Sequence, residues 1–284
     1  MDWKGREQSQ NVEDRRGSSG GGGGGRTPGI LGIIVVLIGA YYGVDLSGLV
    51  GTPSMGTGST QTSQLKPQEE AELNELARVV LADTEKAWGS YFKQIGRTYT
   101  PTTLVLYNGG TSTACGMGQS AMGPFYCPGD KKVYLDLDFY RDMQTKLNSA
   151  SDAAFAYVIA HEVGHHIQNQ LGTLQSYQHM VRGKSEKEKN ALNVRLELQA
   201  DYYAGVWARY IEQENLLDVG DIEEALNAAH AVGDDTLQEQ AYGYSVPDSF
   251  THGSAEQRMR WFKRGYQYGD FEHGDTFSVP DKDL

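Results

Sequence analysis

Apolar residues recur at helical spacing along most of the chain that follows residue 66. The first such pattern covers residues 67–95, where leucine, valine and aromatic residues return every three or four positions among charged ones. This spacing puts the apolar side chains on one face and predicts a long amphipathic helix. Pro67 and the acidic residues that follow it favour a helix start here, because proline suits the first turn and acids suit the helix dipole.

Later segments carry both strand-like and helical patterns. A short apolar run at residues 102–107 predicts a strand, and two more short strands flank a turn at residues 128–130. The remaining apolar patterns are helical and have recognisable start and stop signals. These predicted helices run from an N-cap at Ser151 to a stop at Gly172, from Lys189 to Glu214, from a capping box at Asp221, and from a capping box at Ser254 to Tyr268, ahead of an acidic tail expected to be loose. The pattern indicates an α+β fold that is mostly helical with a small antiparallel sheet.

The first 66 residues divide into three segments of non-globular composition. Residues 1–28 mix charges, serine and a glycine run, which predicts a disordered tail. Residues 29–50 contain one charged residue, Asp45; as a helix of about 22 residues they would be roughly 33 Å long, which predicts a transmembrane helix rather than a cleaved signal or a core helix. Residues 51–66 predict a flexible linker, and residues 67–284 form the predicted globular domain.

The charges around the apolar segment predict its orientation and its partner. Several basic residues precede it, and the first one after it is Lys66. Because basic flanks stay in the cytoplasm, this predicts a single-pass protein of the inner or plasma membrane. Its N-terminus would be cytoplasmic and its domain extracytoplasmic, periplasmic or extracellular, with the lipid bilayer as the partner of residues 29–50.

Composition excludes one class of partner and leaves the cysteines open. The chain has 284 residues and a net charge of −12, which argues against binding nucleic acid. Its two cysteines, Cys115 and Cys127, are not spaced as C-x-x-C, and two thiols alone make a weak metal site. In an oxidising compartment they would form a disulfide; the alternative is a pair of buried thiols.

The segment with the clearest chemistry is the H-E-x-x-H motif at residues 161–165. On a helix, His161 and His165 share one face, where both imidazoles can reach one Zn²⁺ ion. Glu162 lies next to the first ligand and can take a proton from metal-bound water. The alternative, an exposed polar face, fits poorly because apolar residues surround the motif. Gly164 inside the motif would leave room for a close neighbour.

A second pair of acids completes the predicted zinc site. Glu197 and Asp201 are four residues apart on another predicted helix, so both can face the motif. Glu197 is the predicted third ligand, and Asp201 would stand behind it and orient a ligating histidine. The rival arrangement is three histidines, with His230 or His252 in place of Glu197.

The order of these motifs resembles the neutral zinc metallopeptidase family, often called YpfJ-like. The resemblance covers nearly the whole chain and implies a zincin-like, gluzincin-type metallopeptidase domain. It implies His161, His165 and Glu197 as zinc ligands and Glu162 as the base. The matching segments, besides the glycine-rich N-terminus and single apolar segment, are 114–116 (ACG), 123–128 (GPFYCP), 133–136 (VYLD), 161–166 (HEVGHH), 197–201 (ELQAD), 204–208 (AGVWA), 233–235 (GDD) and 252–258 (HGSAEQR).

Four further side chains have alternative roles. His252 resembles a downstream histidine of gluzincins and is a catalytic candidate that would stabilise an oxyanion; the alternative is a structural role at a helix start. His166 points away from the motif face and is expected to be structural. His230 is predicted either to pack in the core or to belong to the site. Arg258 is predicted either to pair with a site carboxylate or to form a surface ion pair.

The predicted function is that of a membrane-anchored zinc metallopeptidase, a metalloendopeptidase that hydrolyses a peptide or protein substrate by a Glu-activated, zinc-bound water. The strand at residues 133–137 would bind extended substrate along its edge. One alternative is a membrane-tethered zinc-binding module that holds a partner with weak or no hydrolysis. Another is a structural zinc site, which would need a fourth protein ligand.

Overall fold

The computed structural model describes residues 1–17, 63–120 and 123–284 of the chain. The domain within these ranges is mainly helical. The helices are α1 (Pro67–Gln94), α2 (Phe139–Thr145), α3 (Asp152–Leu171), α4 (Thr173–Met180), α5 (Glu186–Gln213), α6 (Asp221–Ala231), α7 (Asp234–Tyr242) and α8 (Ala255–Tyr268).

The strands form a mixed four-stranded sheet and a separate hairpin. The strands are β1 (Val12–Asp14), β2 (Thr103–Tyr107), β3 (Gly110–Thr113), β4 (Gly116–Gln119), β5 (Phe125–Cys127) and β6 (Lys132–Asp136). The sheet order is β1-β2-β6-β5, and β3 pairs with β4 in the hairpin. β1, β2 and β6 are parallel, and only β5 is antiparallel to its neighbour. The prediction of a small antiparallel sheet is therefore wrong for the main sheet, in which two of the three strand pairs are parallel. The buried run Leu104–Leu106 is typical of a strand covered on both faces, as parallel strands usually are.

The first 17 residues belong to the domain, so the predicted disordered tail is wrong over this range. Trp3 is buried, and its indole Nε1 donates to Oδ2 of Asp152 at 2.6 Å. Arg6 forms two hydrogen bonds with the buried carboxylate of Asp83, at 2.9 and 2.7 Å. Tertiary contacts of this kind offset the entropy cost of ordering a segment whose polar composition predicts disorder.

The pairing of β1 with β2 overturns the predicted membrane topology. Within the described ranges no helix combines the length and the apolar character that crossing a bilayer requires. The predicted span at 29–50 lies outside the described residues, as do residues 18–28 and 51–62 of the predicted tail and linker. A single crossing would put residues 1–17 and the rest of the domain on opposite sides of a membrane. Because β1 and β2 share one sheet, the predicted single-pass arrangement, with a cytoplasmic N-terminus and an extracytoplasmic domain, is wrong.

Most of the predicted helix boundaries are confirmed. The hydroxyl of Ser151 accepts a hydrogen bond from the third helical residue of α3, and Gly172 ends this helix with a φ of 86°. Ser254 forms the predicted capping box at the start of α8. The capping box at Asp221 is wrong: Gly220 is the N-cap of α6, and Asp221 is its first helical residue.

Helix α3 lies between the sheet and α5. On the sheet side, the Tyr126 hydroxyl of β5 contacts Nδ1 of His166 at 2.9 Å. On the other side, α5 also packs closely against α8: a Cβ at Gly205 would lie 2.0 Å from a carbonyl oxygen of α8, and one at Gly265 would lie 1.9 Å from a carbonyl oxygen of α5. Only glycine permits this approach, which fixes α5 and α8 against each other.

The segment after α8 is packed, although its acidic composition predicts a loose tail. Thr276 is fully buried, and its backbone oxygen accepts a hydrogen bond from the guanidinium of Arg195 on α5. The same guanidinium donates to the carbonyl of Val279 at 2.8 Å. Gly274 is also buried. The end of the chain is thus held along α5, the helix that carries the predicted acids of the site.

Candidate metal centre

Helices α3 and α5 come close enough at the motif to bring their side chains together. A Cβ at Gly164 would lie 2.9 Å from the carbonyl oxygen of Ala200 on α5. The expectation that this glycine leaves room for a neighbour is confirmed. The close approach sets His161 and His165 of α3 opposite Glu197 of α5.

Three metal-binding atoms converge between these helices. Nε2 of His161 lies 3.1 Å from Oε2 of Glu197, and Nε2 of His165 lies 3.5 Å from the same oxygen. One ligand atom from each of the three residues lies within 4.8 Å of the others. The imidazole rings are 4.9 Å apart and nearly perpendicular. His161 and Glu197 are buried, so this group can hold a metal ion away from bulk water.

The outer nitrogen of His161 is held by Asp201, as the sequence predicts. Nδ1 of His161 and Oδ1 of Asp201 are 2.8 Å apart. An ionised carboxylate only accepts, so Nδ1 donates to Asp201, and Nε2 is the nitrogen that faces Glu197 and can bind a metal. Tyr157, one turn before His161, donates to the same oxygen at 2.6 Å.

Of the two alternatives for Arg258, the structure shows the first. Arg258 pairs with a site carboxylate and not with an acid at the surface. Its Nε donates to Oδ2 of Asp201 at 2.8 Å, and its Nη2 donates to Oδ1 at 3.1 Å. A third nitrogen, Nη1, donates to the carbonyl of Val232 at 3.1 Å. Both charged side chains are buried. Arg258 therefore compensates the negative charge that orients His161.

Buried charges of both signs shift the pKa values of the site. Burial lowers the pKa of His161, but Asp201 and Glu197 outweigh it and raise this pKa to about 10. Burial raises the pKa of Glu197, but the two histidines hold it well below its usual value. Burial also raises the pKa of Asp201, but Arg258 and His161 outweigh it and lower this pKa to about 2. Both carboxylates are thus ionised and require cationic partners.

Glu162 has a different environment from the other two acids. It is buried, and burial together with the charge of Glu197 raises its pKa above the usual value of a glutamate, against the opposing effect of the histidines. A carboxyl group with a raised pKa takes up and releases a proton closer to neutral pH. This property suits the base that the sequence assigns to this position.

His252 lies in a loop that Asp234 organises. Oδ2 of Asp234 accepts hydrogen bonds from three consecutive backbone N–H groups, those of Thr251, His252 and Gly253, at 2.8, 2.6 and 2.9 Å. Nδ1 of His252 lies 3.3 Å from the other oxygen of Asp234. Burial lowers the pKa of His252, while Asp234 and then Glu197 raise it, and the net change is upward.

Two other histidines are separate from the centre. His230 is exposed on α6, so it belongs neither to the core nor to the converging group. His166 is buried, with Nδ1 2.9 Å from the hydroxyl of Tyr126 and Nε2 2.7 Å from the carbonyl of Thr100. It links α3 to the sheet, and its expected structural role is confirmed.

The sequence interpretation missed two side chains that hold the histidines. Gln168 lies one turn after His165, and its Oε1 is 2.8 Å from Nδ1 of that imidazole. Tyr157 lies one turn before His161 and reaches Asp201. Their spacing of three and four residues from the histidines was a usable signal, since side chains at these intervals share a helix face.

The two cysteines are joined, which confirms the disulfide. Cys115 and Cys127 are bonded, and their Cα atoms are 5.8 Å apart. The bond links the turn of the β3–β4 hairpin to β5. It therefore restrains the strand next to the helix that carries the H-E-x-x-H motif.

Two histidines one turn apart on α3, Glu197 from α5 and the adjacent Glu162 form a group that could hold a metal ion, with the residue types found at the centres of zinc hydrolases. The chain belongs to the family described as "Putative neutral zinc metallopeptidase", whose model matches residues 1–277. It is 51% identical to "Uncharacterized protein YpfJ" of Escherichia coli K12 over 98% of this chain and 99% of that protein. It is 43% identical to an uncharacterised protein of Mycobacterium tuberculosis over 74% of each chain. No solved structure gives a significant match.

Proposed function

We propose that this protein is a zinc-dependent peptidase in which His161, His165 and Glu197 hold the metal and Glu162 is the catalytic base. The observation that carries the proposal is the convergence of two imidazole Nε2 atoms on one carboxylate oxygen. Glu162 follows the first of these imidazoles on the same helix. Three protein ligands leave one position for water or substrate, as in catalytic zinc sites.

The donor set fits zinc in its chemistry. Imidazole nitrogen and carboxylate oxygen are both good zinc ligands, and a histidine ligand usually donates its other N–H to an acceptor. Both histidines have such an acceptor, Asp201 for His161 and Gln168 for His165. A Zn²⁺ ion also supplies positive charge beside Glu197, whose buried carboxylate would otherwise rely on the histidines alone.

The proposed reaction divides proton transfer and charge stabilisation between two side chains. Bound zinc would lower the pKa of water and polarise a peptide carbonyl. Glu162 would take the proton of the attacking water and pass it to the leaving amine. His252, held by Asp234, would donate a hydrogen bond to the oxygen that becomes negative as the carbonyl is attacked.

The structure changes which strand is the better candidate for binding substrate. The predicted strand, β6, is bonded to β2 on one side and β5 on the other, so its edge is already occupied. β5 ends the four-stranded sheet and contacts α3 through Tyr126 and His166. We propose that an extended peptide pairs with β5, because an edge strand offers unpaired backbone groups.

Metal analysis and proteolysis of unfolded casein test this proposal. The full-length wild type is expected to contain one zinc per chain and to cleave casein, while Glu162→Gln should keep the zinc and lose cleavage. Wild-type protein that takes up no zinc would refute the metal centre. Equal cleavage by both proteins would refute Glu162 as the base, and zinc without cleavage in either protein would favour a zinc-dependent binding protein.

A further inference from the structure

A chain of buried side-chain amides runs from His165 to the C-terminal segment. Nδ1 of His165 is 2.8 Å from Oε1 of Gln168. Nε2 of Gln168 is 3.0 Å from Oε1 of Gln199 on α5. Nε2 of Gln199 is 2.8 Å from the carbonyl oxygen of Gly274. Both glutamines are buried, so water does not compete for these bonds.

Two backbone carbonyls fix the direction of the whole chain. A carbonyl oxygen only accepts, so the atom of Gln168 that lies 2.7 Å from the carbonyl of Leu196 must be its NH₂ group. The atom of Gln199 next to the carbonyl of Gly274 must be an NH₂ group for the same reason. Oε1 of Gln168 is then left to face His165 as an acceptor. Nδ1 of His165 therefore carries the proton, and Nε2 keeps its lone pair.

We propose that Gln168 and Gln199 are positioning residues that set the tautomer and direction of His165, so that the C-terminal segment controls metal affinity from outside the centre. This inference rests on the zinc centre proposed above. Hydrogen bonds aligned in one chain polarise each other, which strengthens the basicity of the free nitrogen. Asp201 increases the basicity of His161 through a charged carboxylate, whereas His165 depends on neutral amides.

The C-terminal segment holds in place the carbonyl of Gly274, which is the last acceptor of the amide chain. A Cβ at Gly274 would lie 2.7 Å from the ring of Tyr202 on α5, so this position admits no side chain without a shift of the ring or of the backbone. Arg195 holds the following residues through the carbonyls of Thr276 and Val279. The carbonyl of Gly274 thus has a fixed position relative to Gln199.

The test compares zinc dissociation constants, measured by chelator competition, in the full-length protein. Gln168→Met should weaken zinc binding by about 10–100-fold, because a side chain of similar size no longer accepts from His165. Gln199→Met should weaken it by roughly tenfold, since Gln168 keeps only the carbonyl of Leu196. Gly274→Ala should also weaken it. Gln213→Met is the control, an exposed glutamine near the end of the same helix as Gln199.

Proton exchange provides a readout that does not depend on activity. The Nδ1 proton of His165 should exchange slowly with solvent in wild-type protein, with or without zinc, because Gln168 holds it. In Gln168→Met it should exchange quickly under conditions in which circular dichroism shows the metal-free protein to be folded. A faster exchange in Gln199→Met would show that the effect travels along the amide chain.

Two negative results have separate meanings. If Gln168→Met and Gln199→Met bind zinc as tightly as the wild type, this inference is wrong while the zinc centre stands. If the wild type binds no zinc, the proposed function fails. The exchange of the Nδ1 proton then decides the inference by itself, because wild-type exchange as fast as that of Gln168→Met overturns the assigned tautomer.

Discussion

Nε of Arg258 lies 2.8 Å from Oδ2 of Asp201, and both side chains are buried. Asp201 is also the acceptor for Nδ1 of His161, so the guanidinium acts on the first histidine through one carboxylate. A buried charge without a partner costs several kcal/mol. Arg258, on the last long helix, is therefore tied to the orientation of His161 on a helix nearly one hundred residues earlier.

Replacing Arg258 should show how much its buried charge contributes to the stability of the protein. Arg258→Met leaves the charge of Asp201 buried without its guanidinium partner, so the free energy of unfolding should fall by about 3–5 kcal/mol. Lys263→Met removes an exposed cation from the same helix and should change it by less than about 0.5 kcal/mol. Urea denaturation measures both. Similar losses in the two variants would show that Arg258 has no special role.

Adding a methyl group at Gly164 should push α3 away from α5. In Gly164→Ala the new carbon would meet the carbonyl of Ala200 at 2.9 Å, and overpacking of this kind costs about 1–3 kcal/mol. Zinc affinity should fall as well, because Glu197 moves away from the histidines. Gly89→Ala on α1 is the matched control: nothing lies within 4 Å of its added carbon, so helix propensity should make the protein more stable, by up to about 1 kcal/mol. A stabilised Gly164→Ala variant would contradict the close approach.

Glu197 and His252 should differ in what they contribute to the centre. Glu197→Ala removes a proposed ligand and should weaken zinc binding more than His252→Ala does. His252→Ala should lower turnover while zinc remains bound, since this side chain is expected to contact the substrate oxygen. Zinc titration and casein turnover are measured on the same preparations. Loss of zinc in His252→Ala with retention in Glu197→Ala would reverse the assignment.

Arg6 should limit the pH dependence that the burial of Asp83 gives to the stability of the domain. Burial raises the pKa of Asp83 above its usual value, and Arg6 lowers it. Arg6→Met should raise this pKa further and lower the free energy of unfolding at neutral pH by about 3 kcal/mol. A group whose pKa is higher in the folded state loses stability as pH rises through that pKa, so the deficit should shrink as the pH is lowered. Denaturation curves from pH 7 to pH 4 measure this, with the exposed Arg182→Met as control; a deficit that grows in acid would contradict it.

Local signals were sufficient for the five longest helices, though not for the short α2, α4 and α7, and for most of the candidate metal centre. The motif helix is bounded by a Ser151 cap and a glycine in the left-handed region, both of which act within one turn. The spacing of the histidines and of Glu197 and Asp201 depends only on helix geometry, so each pair could be assigned to one helix face without knowledge of the fold. That the two faces meet depends on the close packing of α3 against α5 at Gly164.

What the sequence did not reveal depends on contacts between distant segments. β1 is a three-residue strand of one valine and two acids, and nothing in it alternates in polarity. Gln168 and Gln199 read as ordinary helix residues until α3 and α5 are placed side by side. The packed tail is similar, because the buried hydroxyl of Thr276 donates to the carbonyl of Arg195 on α5, 81 residues earlier. Such features arise from tertiary packing, which overrides local propensity.

The attachment of the first residues to the domain also sets an order of assembly during synthesis. Trp3 bonds to Asp152, 149 residues later in the chain. At an elongation rate of 5–20 residues per second, the ribosome needs roughly 7–30 s to make the second partner after the first. Trp3 therefore waits for its partner longer than Arg6 does, because Asp83 follows Arg6 by only 77 residues. A chaperone that bound this segment would meet Trp3 without Asp152 throughout that interval.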